Sequence, residues 1–166
     1  TPVGAQCSGR SQTGVAVWQA RGQPSGDGVV TASLSSAALS AVIAVSRYVG
    51  VGEVDPLRSL SANSRGLAGA CSGGGDGDAY AFALDGAAPD SLVVVAAAAR
   101  GQDHAPGPGY QEQVQIFTGG GGDVAGLSVA DLRVVAPGPA PVQGGFAADV
   151  DWSVVALEIA LPLLAP

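Results

Sequence analysis

His104 is the single histidine of this 166-residue chain, and it follows Asp103 in the run Arg100-Gly-Gln-Asp-His-Ala-Pro-Gly-Pro-Gly109. A Ser-His-Asp hydrolase would need it as the general base. No G-x-S-x-G elbow presents a serine, however, and neighbouring Asp and His side chains in extended backbone face apart. The residue therefore reads as a loop histidine bonded to turn backbone. Asp76-Gly-Asp78, within a glycine-rich run, could offer two carboxylates and backbone carbonyls to calcium, which takes about six to eight oxygens. The remaining ligands of an EF-hand loop are missing, so a solvated acidic turn competes with the metal site. Asp149 and Asp151 flank Val150, and strand alternation would place both on one face beside Trp152. Carboxylate pairs can run glycoside hydrolysis, but a chain with 14 acidic residues always offers some pair. Gly119 to Gly122 lacks the following Lys-Ser/Thr of a phosphate cradle and reads as a hairpin loop.

Cys7 and Cys71 are the two cysteines. Neither has a second Cys or a His at zinc-ligand spacing, and they form no redox motif. A disulfide closing a loop of about 65 residues is the economical reading, with two buried thiols as the alternative, and a bridge would point to an oxidising compartment. Among the few aromatic residues, Trp18 and Trp152 fall in strand-like runs and read as core. Tyr110, in a Pro/Gly loop, is the best exposed ring for stacking on a sugar. The basic residues are all arginine, as a GC-rich genome would favour, which removes Schiff-base and P-loop lysine chemistry. The lone asparagine stands in Asn63-Ser-Arg65, so no N-glycosylation acceptor exists. Thr1 in place of methionine is expected to be a processed end, left by removal of a signal peptide.

These residues must be held by elements that the composition already constrains. Seven basic against 14 acidic residues give a formal charge of −7, a balance opposed to a nucleic-acid surface. Gly (26) and Pro (11) are abundant, which would signal disorder but for 47% hydrophobic residues. Short ordered strands joined by turns reconcile the two. The longest apolar run, Leu92 to Ala99, is far below the ~20 residues of a bilayer span, so no membrane span is expected.

Period-two alternation recurs between turn clusters. Tyr80, Phe82 and Leu84 share one face of a strand. Val155, Leu157 and Ile159 share a face opposite Trp152, Val154, Ala156 and Glu158, with Glu158 near water or paired. Leu127 and Val129 fall in one register and Leu132 and Val134 in the other, which predicts a β-bulge near Ala130-Asp131. Further strands are expected over 15–21, 29–34, 41–48, 91–99, 111–117 and 142–150. Residues 31–49 also fit a helix, with Leu34, Ala38, Ala41, Val42 and Val45 on one side. The sum is a single domain, 1–166, with an all-β antiparallel β-sandwich of about nine strands, jelly-roll or immunoglobulin-like.

The order of segments resembles a loosely defined group of secreted bacterial β-sandwich modules of surface proteins. Val17-Trp18, Val42-Ile-Ala-Val-Ser-Arg-Tyr48 with Gly50-Val51 and Asp55-Pro56, Asp90-Ser-Leu-Val-Val94, His104-Ala-Pro-Gly-Pro-Gly-Tyr110 and Asp151-Trp152 to Ile159 carry it. Group members carry one or two further strands ahead of the first strand here, and Thr1 to Thr13 is too polar and Gly-rich to supply them. A sandwich short of a strand leaves a sheet edge open to another chain. The apolar tail Ala160 to Pro166, through Leu161, Leu163 and Leu164, could fill such an edge in a neighbour, or could cover its own core. The resemblance implies a non-enzymatic extracellular or cell-surface subunit, self-assembling into a homopolymer, with no cofactor. A carbohydrate-binding or adhesive module with calcium at Asp76 and Asp78 is the alternative.

Overall fold

The structure, a computed structural model, describes residues 1–22, 27–51 and 54–160, with backbone alone for 54–57. Eleven strands run in chain order: β1 (Pro2–Cys7), β2 (Gly14–Trp18), β3 (Val54–Asn63), β4 (Gly66–Leu67), β5 (Gly77–Ala87), β6 (Ser91–Ala99), β7 (His104–Pro106), β8 (Gln111–Thr118), β9 (Ala125–Val134), β10 (Gly138–Val150) and β11 (Trp152–Ile159). The described residues contain no α-helix, only a 3₁₀ turn at Gly121–Asp123. All pairings are antiparallel. They make a six-stranded sheet ordered β4-β3-β11-β6-β9-β8, a three-stranded sheet ordered β5-β10-β7, and the hairpin β1-β2.

The six-stranded sheet is covered on both faces. On one, Val93, Val95, Ala97, Val154 and Ala156 share a core with Tyr80, Leu84, Val142 and Phe146 of the three-stranded sheet. On the other, Val94, Ala96, Ala98, Val155, Leu157 and Ile159 pack with Val15, Val3 and Val17 of the hairpin and with Ala44, Tyr48 and Val51. A strand buried on both faces reads as an unbroken apolar run, which accounts for Leu92 to Ala99. The same double covering explains the shift along β9. Its pairing with β6 is unbroken from Ser91↔Val134 to Ala99↔Gly126, so Leu127 and Val129 simply face one core while Val134 faces the other. The irregularity lies on the partner strand, at Gln113 of β8, between Glu112↔Ala130 and Val114↔Val129. The expected bulge on β9 is thus a misreading of apolar residues serving two cores.

Other expectations also change. Thr1 to Thr13 does supply a strand, β1, paired with β2 from Pro2↔Trp18 to Cys7↔Gly14. Residues 27–51 form neither strands nor a helix. Trp18 is 64% exposed rather than core, because it ends β2 at the margin of the small hairpin. Cys7 and Cys71 form the disulfide, tying β1 to the loop after β4.

Candidate functional site

Three constellations deserve description, two inside the fold and one on its margin. The chain passes from the three-stranded to the six-stranded sheet between β10 and β11, and Asp151 sits at that corner, 2% exposed. Its carboxylate accepts from Ser8 Oγ at 2.5 Å, from the Arg10 N–H at 3.0 Å and from the Gln12 N–H at 3.1 Å. Ser8 Oγ in turn accepts from the N–H groups of Gln12 and Thr13. Asp151 therefore shapes the β1–β2 turn, whereas Asp149 is exposed; the expected pair on one face is split by the corner. Arg10 also reaches Asp76, whose two oxygens lie 2.7 and 2.8 Å from its Nη1. Asp76 is thus taken by a cation of the chain itself, Asp78 lies exposed on β5, and no group of three or more His, Cys, Asp or Glu suited to a metal occurs among the described residues.

His104, on β7, is buried rather than a loop residue. Its Nε2 lies 2.9 Å from Tyr80 Oη and its Nδ1 3.0 Å from Ser128 Oγ, while its backbone N–H donates to Gln115 Oε1 at 2.6 Å. Either tautomer satisfies both ring contacts, since each hydroxyl can donate or accept. The Tyr80 ring stacks on the imidazole at 5.8 Å and Phe146 lies at 5.2 Å. Gly144 makes room: a Cβ there would fall 2.6 Å from His104 Nε2 and 2.7 Å from Tyr80 Oη. Burial lowers the His104 pKa to about 4 and raises that of the Tyr80 hydroxyl, so both are neutral at pH 7. A serine beside a histidine is the hydrolytic pairing, but Ser128 is 2% exposed, walled into the core where a substrate does not reach it. Glu158, also 2% exposed, is paired: Arg58 Nη1 lies 3.1 Å from it and the Ala88 N–H donates to it at 2.6 Å.

The third constellation is a surface. Residues 27–51 expose large apolar side chains in series: Val29 (93%), Leu39 (85%), Val45 (65%), with Val30, Leu34, Ile43 and Val49. From 40 to 45 the chain alternates, Ser40, Val42 and Ala44 half-buried, Ala41, Ile43 and Val45 outward. Ala44 and Tyr48 anchor it to the sheet. The Tyr48 hydroxyl lies 3.5 Å from Asp131 Oδ2, and burial, reinforced by that carboxylate, raises its pKa to about 12. Residues Ile43 to Tyr48 and Gln113, Val114 and Ile116 of β8 wall a groove of about 300 Å³. β8 is one outer strand of the six-stranded sheet and, among the described residues, pairs with β9 alone.

Tyr110, the expected stacking ring, is half-buried against the core, its hydroxyl donating to the Pro141 carbonyl at 2.6 Å. Leu161, Leu163 and Leu164 lie outside the described residues. The groove escaped the sequence reading because strands were expected there; its signal was present, in apolar residues on both parities of 41–45 with no polar face. Comparison with protein-family models, curated proteins and solved structures finds no match.

Proposed function

We propose that this chain is an extracellular structural subunit that polymerises into a surface filament or matrix by strand complementation, its two facing sheets forming a β-sandwich of the secreted bacterial surface-module kind. One observation carries the reading: an outer strand, β8, whose last five residues, Val114 to Thr118, hold no charge and no proline, lies beside a strip whose Ile43 and Val45 are exposed among the described residues. Natural sheets guard their edges with charge, proline or short strands. The other outer strands of the two larger sheets are guarded. β3 contains Asp55, Pro56 and Arg58; β4 has two residues; β5 exposes Asp78 and Asp85; β7 has three residues and ends at Pro106. The disulfide suits an oxidising location. Self-assembly is preferred to carbohydrate binding because Tyr110 is half-buried and Asp76 is engaged by Arg10.

Light scattering and negative-stain microscopy of the purified protein test the reading. Species that elongate with concentration are expected; a particle that stays at the 16.1 kDa chain mass at every concentration overturns it.

A further inference from the structure

Resting on that reading, we infer that the acceptor is the β8 edge at Val114 to Thr118 together with the Ile43–Tyr48 groove, and that its occupant is the tail 161–166 of a second copy of this chain. Apolar residues on both parities of a strand-like run call for a cover on each side. At 41–45 the described chain provides one: Ala44 meets the sheet while Ile43 and Val45 face outward. The groove has apolar side chains on both walls, Ile43 and Val45 on one and Val114 and Ile116 on the other, alongside Ser46, Arg47 and Gln113, and β8 contributes a row of backbone groups that β9 does not use.

The tail reads Leu161-Pro-Leu-Leu-Ala-Pro166, uncharged and apolar like the 41–45 stretch of the strip. Successive residues of a strand direct their backbone groups to opposite sides. Laid against β8 with the N–H groups of Leu161, Leu163 and Ala165 inward, the tail turns Pro162, Leu164 and Pro166 outward. Both prolines then occupy the side where no N–H is required, the placement proline tolerates in an edge strand. The same prolines would block a further strand from adding outside the tail. Growth would therefore proceed one subunit at a time, through a head-to-tail contact that does not close on itself.

Two full-length variants separate the halves of this contact: Ile116→Lys blocks the acceptor, and Leu163→Asp blocks the donor. Each alone is expected to stay monomeric. An equimolar mixture, in which one intact edge meets one intact tail, is expected to give a 1:1 species of twice the 16.1 kDa chain mass that grows no further. Because Ile116 belongs to β8 itself, Val45→Asp, on the exposed strip, serves as an independent acceptor block, with unchanged circular dichroism confirming the fold. Continued elongation of both acceptor variants, or a mixture that forms no dimer, overturns this assignment while leaving polymerisation standing. Failure of the unaltered chain to elongate overturns polymerisation itself.

Discussion

Leu92 to Ala99 and Ala41 to Val45 are both unbroken runs of aliphatic residues, yet they end in opposite surroundings. The first forms β6, central in the six-stranded sheet, where every residue from Ser91 to Ala99 is buried except the half-buried Leu92. The second lies across the margin of that sheet with Ile43 and Val45 in solvent. An apolar run without a polar face needs two covers, and its neighbours decide whether it has them. β6 is flanked by β11 and β9 and roofed by both the three-stranded sheet and the hairpin. The 41–45 run has a sheet beneath it and nothing of the described chain above.

Substitutions at the two places should therefore differ most in what they disturb. Trp152→Ala, which empties a 3% exposed site among Tyr80, Phe82 and Phe146, is expected to cost about 3–5 kcal/mol of unfolding free energy in urea titration. Reducing Cys7–Cys71, whose sequence separation is 64, should cost on the order of 4 kcal/mol by loop-closure entropy, read as a lower denaturation midpoint with reductant than without.

The core also carries a pH signature in the acid range. His104 binds a proton near pH 4 when folded against an ordinary value of 6.5, so the unfolded chain takes up a proton first. Stability should be unaffected by this group above about pH 6.5 and fall as pH drops toward 4, by up to about 3 kcal/mol. His104→Asn should flatten that part of the profile; an unchanged slope would refute the account. Asp151→Asn, which removes the charge accepting from Ser8, Arg10 and Gln12, should cost ~1–3 kcal/mol and speed amide exchange in the β1–β2 turn. Val45→Ser, at the margin, should change stability by no more than about 0.5 kcal/mol while weakening self-association in sedimentation. A large loss of stability there would show the strip to be core and dissolve the contrast.

The faces of β5 and β11 were legible because alternation survives wherever large and small residues take turns: Tyr80 and Leu84 point to one core, and Val155, Leu157 and Ile159 to the other. β9 was misread because alternation assumes one buried face, and its residues serve two. The groove was hidden for the same reason. Neither period two nor a helical stripe distinguishes a paired strand from an extended crossing segment, since pairing depends on which backbone lies alongside. His104, Ser128 and Tyr80 are 24 residues apart in each direction, and no local pattern links them.

Composition, turn clusters and period-two runs by themselves determined an antiparallel, all-β chain with Cys7 and Cys71 as natural partners, because these follow from local backbone preference and from side-chain polarity. Only the tertiary structure decided that the large sheet is covered twice, that Asp151 is a buried anchor while Asp149 is solvated, and that β8 lies outermost in its sheet, pairing with β9 alone among the described residues. Those outcomes depend on which strands become neighbours, and neighbours are set by packing across the whole chain.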